Sequence, residues 1–257
     1  MDKALIDLIF MSQKRKDVLL LLRNGEKTLE EIVDLLQVNP TGVLPQIKKL
    51  KDENLVFQQD KEYKLTPLAE ILVEKMEPLI DTLDVIEKNP HFWQERDLSA
   101  VPEPFLERLN ELKHCFIIRP DPDNIFEPPA VFLENIRNSK KILTFSSIFH
   151  PVFPELFLGN EDENVQITLI VTKRIYERLK NDFEKEVELY LSKGKKLFVF
   201  NEEIKIAMLI KTELFMSADF LTLKGAFDQE TLIGFESASM KWAEDLILYY
   251  KDKAQEI

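Results

Sequence analysis

The chain has 257 residues, 45% of them hydrophobic and 31% charged, with a formal net charge of −12. This length suits one large domain or two modest ones, and the composition is ordinary for a globular protein. A single cysteine, Cys115, excludes an internal disulfide framework and favours a reducing cytoplasm. No uncharged apolar run approaches the roughly 18 residues that a membrane-spanning helix needs, so we expect a cytoplasmic protein without a membrane partner.

Residues 1–24 are predicted to form one or two helices. Their apolar stripes run from Ala4 to Phe10 and from Val18 to Leu22, and the charges inside the first segment exclude a signal peptide. Arg23-Asn24-Gly25 is typical of a helix end, because glycine adopts the left-handed conformation that follows a last turn. The first stripe has two candidate partners, the domain that follows it or a second subunit.

Two short helices joined by a tight turn are predicted in residues 28–52. The first has four apolar residues at the spacing of one buried helical face, namely Leu29, Ile32, Leu35 and Leu36. Asn39 suits the N-cap of the second helix, and Pro40 its first position, where a missing N–H costs nothing. In that helix Val43, Ile47 and Leu50 are spaced to face inward.

This helix-turn-helix is of the kind that presents its second helix to the DNA major groove. Strand-like residues 55–57 and 63–65 follow and flank a polar tip, which predicts a hairpin wing. We therefore expect a winged helix that binds double-stranded DNA. The side chains expected to contact DNA lie on the outward face of the second helix and on the wing: Thr41, Gly42, Gln46, Lys48, Lys49, Lys51, Gln58, Gln59 and Lys61.

The start of a recognition helix meets base edges, so Gln46 suits adenine, and Lys49 suits guanine or phosphate. The remaining lysines and the wing residues are expected to hold phosphates. The competing interpretation is a helical subdomain whose hairpin packs against another protein.

The charge is unevenly distributed along the chain. Residues 1–66 contain 11 basic and 11 acidic side chains, so the whole net charge of −12 lies in residues 67–257. A neutral DNA-binding region predicts a weak and salt-sensitive nonspecific affinity for phosphate. A dimer would bind DNA more tightly than a single subunit, because two half-sites combine their contacts.

Thr66-Pro67 begins a long helix that is predicted to end near Lys88. Its apolar residues recur as a heptad-like seam, interrupted by Pro78, and comprise Leu72, Met76, Leu79, Leu83 and Ile86. Such a seam packs against its own copy or against the next domain, and we favour dimerisation. Residues 89–106 are rich in proline and aromatic side chains, and are expected to form an irregular connector anchored by Phe92, Trp93 and Phe105.

From Lys113 onward, apolar strands alternate with helices, which predicts a mixed or largely parallel sheet covered by helices. The strands are expected at residues 115–118, 141–145, 165–171, 197–200, 204–210 and 214–217, with edge strands at 221–223 and 232–235. Helices are expected at 131–137 and 184–191, and a last one is expected to be capped by Ser237. Residues 121–124 are expected to form a polar loop.

Ligands of open α/β sheets bind beyond the carboxyl ends of the strands. The side chains predicted at these ends would suit a small polar or anionic effector, and comprise Ser146, Ser147, His150, Thr172, Lys173 and Arg174. The alternative is that Ser146 and Thr172 are helix caps, while Lys173 and Arg174 are solvated.

No catalytic site, metal or cofactor is expected. The chain has only six glycines and lacks a glycine loop of the Walker or dinucleotide kind and a Gly-x-Ser-x-Gly elbow. The three histidines lie in different contexts, and no second ligand stands at metal-binding spacing. Cys115 falls in a predicted buried strand, where a thiol is usually inert, and redox sensing is a minor alternative.

Four stretches carry a resemblance to a known family: VLPQIKKL in the second helix, YKLTPLAEIL after the wing, FWQERDLSAVPEPFL in the connector and FESASMKWAEDLILYYKDKA near the end. With them the chain resembles archaeal regulators found largely in methanogens, the helix-turn-helix methanogenesis regulatory proteins. The resemblance covers nearly the whole length, and the connector is its more specific part. It implies an ArsR/MarR-like winged helix, a C-terminal α/β domain that senses or assembles, transcription control and a dimer.

The C-terminal region also resembles the phospholipase-D-like sensor domains of some archaeal sugar regulators. It lacks the paired His-x-Lys motifs of the active hydrolases, which favours a binding role over hydrolysis.

The combined prediction is an α+β chain with three parts. These are a winged helix-turn-helix in residues 1–66, a long dimerisation-type helix with a packed connector in 67–112, and an α/β domain with a mixed sheet in 113–257. We expect a homodimeric, sequence-specific transcriptional regulator with an effector site. The alternatives are a protein-interaction module that docks on the transcription machinery or, less favoured, a phospholipase-D-like enzyme. Operator, effector and direction of control are left open by the sequence.

Overall fold

The computed structural model describes residues 5–121, 128, 130–160, 162 and 164–257. Most of the polar loop predicted at residues 121–124 lies outside this part of the chain. The backbone separates into two compact units, Met1–Ile80 (unit 1) and Asp81–Ile257 (unit 2). The three-part division drawn from the sequence remains a prediction.

Unit 1 combines helices with a small antiparallel sheet. Within its described residues, helices α1 to α4 span Leu5–Phe10, Gln13–Arg23, Leu29–Leu36 and Pro40–Asp52. Strands β1 to β3 span Lys27–Thr28, Val56–Gln59 and Glu62–Leu65, in the order β1-β3-β2. Helix α5, Pro67–Lys88, begins in unit 1 and ends in unit 2. The predicted helices and hairpin are present in the predicted order, and β1 is an addition.

Local sequence explains where α3 begins. The Thr28 side chain accepts the N–H of Glu31, and the Glu31 carboxylate accepts the N–H of Thr28, which is a capping box. The N–H of Thr28 holds the pKa of Glu31 below its usual value. The buried stripe of α3 differs from the prediction at one position. Ile32 is buried and Val33 packs against the core of unit 1, whereas Leu35 is 59% exposed. Val33 and Leu35 are both apolar, so the spacing alone does not decide which one turns inward.

Unit 2 is built on an eight-stranded mixed sheet. Strands β4 to β11 span Phe116–Ile118, Lys141–Ser146, Gln166–Thr172, Lys196–Phe200, Ile206–Thr212, Met216–Phe220, Thr231–Gly234 and Gln255–Glu256. Their order is β11-β7-β6-β5-β8-β9-β10-β4. Strands β5, β6 and β7 are parallel to one another, and the remaining neighbours are antiparallel. The α+β architecture with a large mixed sheet is therefore as predicted.

Helices cover both faces of the sheet. Helices α6 to α11 span Pro90–Glu95, Glu103–Leu106, Ala130–Asn138, Lys173–Asp182, Glu184–Ser192 and Ser237–Lys251, with a 3-10 turn at Leu109–Leu112 and a π-helix at Pro154–Leu158. On one face Trp242 of α11 is fully buried and donates its indole N–H to the carbonyl of Phe105, 2.9 Å away. The other face packs the π-helix and α8 to α10 around Phe153, Phe157 and Tyr190.

The connector is more regular than predicted, since α6 and α7 lie within it. Its three aromatic anchors, Phe92, Trp93 and Phe105, are buried as predicted. Residues 221–223 do not form the predicted edge strand. Thr222 instead bridges to Arg96, because the backbone around it pairs with the connector through Asp97 and Leu223.

Two further strand predictions are corrected. Residues 231–234 form an inner strand, because β4 adds on its outer side. The β8–β9 turn falls at residues 213–215 rather than 211–213, since the Thr212 hydroxyl accepts the N–H groups of Leu214 and Phe215, and Phe215 is buried.

The predicted cap of the last helix is also wrong. Ser237 is the first residue of α11, and the N-cap is Glu236, which makes no side-chain capping bond. Among the described residues, no helix is both long and apolar enough to cross a membrane.

Candidate nucleic-acid interface

The turn into α4 is fixed by Asn39. Its side-chain oxygen accepts the N–H of Gly42 at 2.7 Å and the hydroxyl of Thr41 at 3.1 Å, and Pro40 occupies the first helical position. A Cβ on Gly42 would lie 2.7 Å from that oxygen and 2.6 Å from Lys14 Nζ. The cap geometry alone therefore requires a glycine at position 42, whether or not this residue contacts a ligand.

Helix α4 has one buried and one open side. Val43, Ile47 and Leu50 are fully buried in the core of unit 1, as their spacing predicts. The predicted contact residues Thr41, Lys48, Lys49 and Lys51 are exposed, while Gly42 and Gln46 are half-buried. Because the buried side is held by the core, the outward side is presented at a fixed rotation about the helix axis.

Gln46 is held by a neighbour that the sequence analysis missed. Arg15 is buried, donates its Nε proton to the carbonyl of Leu8, and donates from Nη1 to Gln46 Oε1 at 2.6 Å. A guanidinium can only donate, so the oxygen of the Gln46 amide faces Arg15. The amide nitrogen of Gln46 is the atom left to donate elsewhere.

The hairpin lies beside α4. Strands β2 and β3 pair in register from Val56 with Leu65 to Gln59 with Glu62, so the turn is only Asp60 and Lys61. Asp60 has a φ of 55°, a left-handed conformation that aspartate tolerates in tight turns.

The tip of the hairpin is polar and exposed, with Gln58, Gln59 and Lys61 in solvent. Lys51 Nζ donates to Gln58 Oε1 at 3.2 Å and so joins α4 to the hairpin. The predicted helix and wing residues therefore lie on connected surfaces of one unit.

The open side of α4 carries both charge and apolar surface. Lys48, Lys49 and Lys51 are exposed there, and the acidic Asp52 and Glu53 follow at its end. Leu44 lies about one helical turn before Lys48, is 40% exposed and lines an open groove with Lys48 and Lys51. The face thus has a basic part, the three lysines, and an apolar part, Leu44. These suit contact with phosphates and with a thymine methyl, respectively.

Two more residues join this face without a clear sequence pattern to mark them. Lys14 lies at the first turn of α4, and Leu44 sits among polar neighbours. A basic run in α2 could have drawn attention to Lys14 and Arg15, but nothing in that run separates the half-buried lysine from the buried arginine.

Helix α5 leaves part of its predicted seam uncovered. Met76 is buried in the core of unit 1 and Leu72 packs against that core, so this half of the seam is occupied within the chain. Further along, Leu79, Leu83 and Ile86 are exposed, and Leu68 and Ile71 extend the same apolar stripe towards the helix start.

The strand-end residues of unit 2 do not gather as an open polar site. Ser146 and Ser147 are buried, and their hydroxyls donate to the carbonyls of Ile148 and Ile206 at 2.8 and 2.6 Å. Their hydrogen-bonding groups are therefore committed to the main chain. As an effector site these residues remain a prediction.

The remaining strand-end residues lie close by with separate surroundings. Arg174 is exposed and donates to the Ser147 carbonyl at 3.1 Å, and Lys173 is exposed beside it. Thr172 is the N-cap of α9, but its buried hydroxyl has no hydrogen-bond partner within the described residues. His150 turns away from this group into an apolar cavity, where burial lowers the pKa of its imidazole.

Two other groups bear on the chemistry of unit 2. Burial raises the pKa of the Cys115 thiol to about 11, which disfavours the reactive thiolate. In the part of the chain that the structure describes, no three His, Cys, Asp or Glu side chains are grouped so that they could hold a metal ion.

Two family models match this chain. The model of the methanogenesis regulatory protein FilR1, N-terminal domain, matches residues 3–84, and that of its middle domain matches residues 125–253. The chain belongs to the methanogenesis regulatory protein FilR1 family. The resemblance inferred from the sequence is confirmed at this level, and the ArsR/MarR-like detail remains an expectation.

A curated member of the FilR1 family comes from Methanothrix harundinacea (strain 6Ac). It is 26% identical to this chain over 258 residues, which is 97% of this chain and 57% of that protein. The chain thus spans little more than half the length of this relative. The FilR1 family is named for a regulatory protein and not for an enzyme, in agreement with the expected lack of catalysis.

Solved structures give more distant likenesses. TrmBL2, an archaeal chromatin protein whose structure is reported to show a novel mode of DNA binding, aligns over 98% of this chain and 97% of its own, at 13% identity and a TM-score of 0.45. An O-methyltransferase family protein from Burkholderia thailandensis aligns over 79% of this chain and 65% of its own, at 11% identity and a TM-score of 0.25.

Proposed function

We propose that this FilR1-family chain is a homodimeric transcriptional regulator that binds double-stranded DNA with α4 as its recognition helix and the β2–β3 hairpin as its wing. The observation that carries the proposal is the open side of α4. Three exposed lysines lie there on a helix whose other side is locked into the core of unit 1. The membership of a regulatory family supports the same conclusion.

Base reading is assigned to the first turns of α4. Gln46 is oriented by Arg15, so its amide N–H groups are the part that can reach a base edge. The N7 atoms of adenine and guanine both accept a hydrogen bond in the major groove. We therefore expect Gln46 to prefer a purine at one position, a broader preference than the adenine that the sequence alone predicts.

The phosphate contacts are assigned to exposed cations. Lys48, Lys49 and Lys51 on α4 and Lys61 at the tip of the hairpin would hold the backbone on either side of the groove. Each contact releases condensed counterions, so affinity falls as salt rises. The neutral charge of residues 1–66 makes a second set of contacts, from a partner subunit, important.

The exposed stripe of α5 is the proposed dimer contact. Ile71 is 60% exposed and Leu79 is 51% exposed, on a helix where leucine and isoleucine would normally be covered. Ile6 of α1 and Met11, which follows that helix, are exposed as well. Two copies of a symmetric dimer would bury the same stripe from each side.

One observation favours a second function. Leu44 and the wing residue Phe57 are both exposed, and residues 1–66 carry no net positive charge. Such a surface also suits a protein partner, as in docking on a subunit of the transcription machinery.

Selection from a pool of random duplexes, followed by titration of the selected DNA at two salt concentrations, separates the two functions. We expect an enriched motif with two related halves and an affinity that drops steeply with salt. An unenriched pool, together with binding that is undetectable even at low salt, would reject DNA binding and leave the docking function.

Sedimentation equilibrium tests the dimer independently of DNA. The double variant Ile71→Glu/Leu79→Glu should be monomeric where the unmodified protein is dimeric. Leu223→Glu, at an exposed leucine of unit 2, is the matched control and should remain dimeric. A monomeric unmodified protein would refute the dimer.

A further inference from the structure

A small cavity lies in unit 2 between the sheet and the helices on one of its faces. Its volume is ≈ 50 Å³. The floor is formed by Met208, Asp219 and Thr231 from three adjacent strands, and the walls by the aromatic rings of Phe132, Phe153 and Phe157. An apolar cavity with very few polar groups is the common form of a small-molecule site.

The exceptional group in this cavity is Asp219. Its side chain is 1% exposed, and it accepts a hydrogen bond from the Thr231 hydroxyl at 2.6 Å. Among the described residues, Thr231 is the hydrogen-bond donor to this carboxyl group. Burial raises the pKa of Asp219 from 3.8 to about 7, so a large free energy opposes the ionisation of this carboxyl group.

The positive charge of Arg96 opposes the rise in the pKa of Asp219, but this charge is shared with two other carboxylates. Arg96 contacts Asp228 at 2.6 Å and Glu230 at 2.9 Å, and Arg119 contacts Glu230 at 2.8 Å. Both guanidinium groups are thus engaged by the other two carboxylates. One further positive charge, placed in the cavity, would neutralise Asp219.

The segment between Asp228 and Glu230 shapes the cavity as well. Gln229 lines it and has a φ of 63°, a left-handed conformation that few residues other than glycine adopt. The ion pairs to Arg96 on either side hold this segment in place.

A further polar group of the lining, His150, accepts the N–H of Val152 at its Nδ1 atom, 3.3 Å away, and burial lowers the pKa of its imidazole. It is therefore a neutral imidazole that does not compete with a cation for Asp219. The phenylalanine rings attract cations through their π faces. An anion would meet the carboxylate instead and be repelled.

We propose that this cavity is a binding site for a small aliphatic ammonium ion, with its charged nitrogen against Asp219 and its carbons among Phe132, Phe153 and Phe157. The site is distinct from the strand-end residues considered as an effector site from the sequence, apart from His150. Binding of the ion does not depend on the proposed DNA binding, so either can fail without the other.

An NMR titration of the full chain at pH 8, above the pKa of Asp219, tests the proposal with three small probes. These are the cation ethylammonium, the neutral ethanol and the anion acetate. Ethylammonium should shift the amide signals of Asp219 and Thr231 with a dissociation constant on the order of millimolar, because a ligand of three heavy atoms cannot bind much more tightly. Ethanol should bind at least 10-fold more weakly, and acetate should leave both signals unchanged.

Two variants localise the effect. Asp219→Asn keeps the shape of the side chain and removes its charge. It should weaken the binding of ethylammonium at least 10-fold. Asp252→Asn removes an exposed carboxylate of the same unit and should leave the affinity unchanged. Acetate or ethanol binding as tightly as ethylammonium, or unaltered ethylammonium binding to Asp219→Asn, would overturn the proposal. Should Asp219→Asn not fold, the three probes on the unmodified chain decide it alone.

Discussion

The two units place their chemistry in opposite ways. Unit 1 has an apolar core and exposes its candidate binding groups, the lysines of α4 and the polar hairpin tip, to solvent. Unit 2 carries most of the acidic charge on its surface but hides its exceptional group, Asp219, beneath aromatic side chains. An exposed face suits a large polyanion such as DNA, whereas a small cavity suits a small ligand. The candidate DNA-binding face can therefore be located from surface charge, whereas the candidate small-molecule site cannot.

The largest expected effect is on the core of unit 2. Trp242→Ala should lower the free energy of unfolding of this unit by about 3–5 kcal/mol, because it leaves a cavity and removes the indole hydrogen bond to the Phe105 carbonyl, which keeps only the N–H of Arg108. Both tryptophans of the chain belong to unit 2, so the fluorescence of Trp93 reports its urea unfolding in the variant. Leu248→Ala, at a partly exposed position of the same helix, should cost far less. Equal losses in the two variants would contradict the assignment of the core.

The next effect distinguishes the buried carboxylate from surface ones. Folded Asp219 keeps its proton up to about pH 7, while the unfolded chain releases it near pH 3.8, so its contribution to stability is lost as pH rises through 7. Between pH 5 and pH 8 the unmodified protein should lose roughly 2–3 kcal/mol more stability than Asp219→Asn. Urea unfolding at the two pH values measures this. Parallel pH profiles would show that Asp219 is not buried as described.

A smaller effect is expected on the exposed face of unit 1. Gln46→Ala should cost about 1–3 kcal/mol of DNA affinity, concentrated at one base pair, because it removes a donor that Arg15 holds in place. Gln46→Glu is the matched control for orientation, since it keeps an acceptor for Arg15 but has no N–H to donate. It should lose the same base preference. A base profile unchanged in Gln46→Ala would remove α4 from the readout.

The smallest effect concerns the cap of α4. Asn39→Ala removes the acceptor for the N–H of Gly42 and should destabilise unit 1 by about 1 kcal/mol. Faster hydrogen exchange of the first α4 amides would report it. Gln37→Ala, in the same turn but outside the α4 cap, should leave those amides protected.

The sequence predicts best what depends on near neighbours. Asn39-Pro40 and the spacing of the apolar residues determine where α4 begins and which side is buried, and both predictions agree with the structure. The prediction that Leu35 rather than Val33 faces inward is wrong, because the outcome depends on which of the two side chains meets the rest of the core. The edge strand predicted at residues 221–223 is wrong for a related reason, since Arg96, the partner of Thr222, lies far away in the sequence.

The candidate sites follow the same rule. The exposure of the α4 lysines follows from the spacing of the buried residues on the same helix, whereas the contact between Arg15 and Gln46 joins two helices and is visible only in three dimensions. Asp219 resembles any polar residue in an alternating strand. Its cavity depends on Phe132 and Thr231, which the fold brings together from distant parts of the chain.

DNA binding through α4 is tested by comparing two charge-matched double variants on selected duplex DNA. Lys48→Gln/Lys49→Gln removes two cations from the open side of α4, and Lys180→Gln/Lys185→Gln removes two exposed cations from unit 2. The first should weaken binding and lower the slope of log affinity against log salt by about 2, since each lost phosphate contact lowers it by about 1. The second should leave both quantities unchanged. Equal behaviour of the two variants would contradict DNA binding through α4.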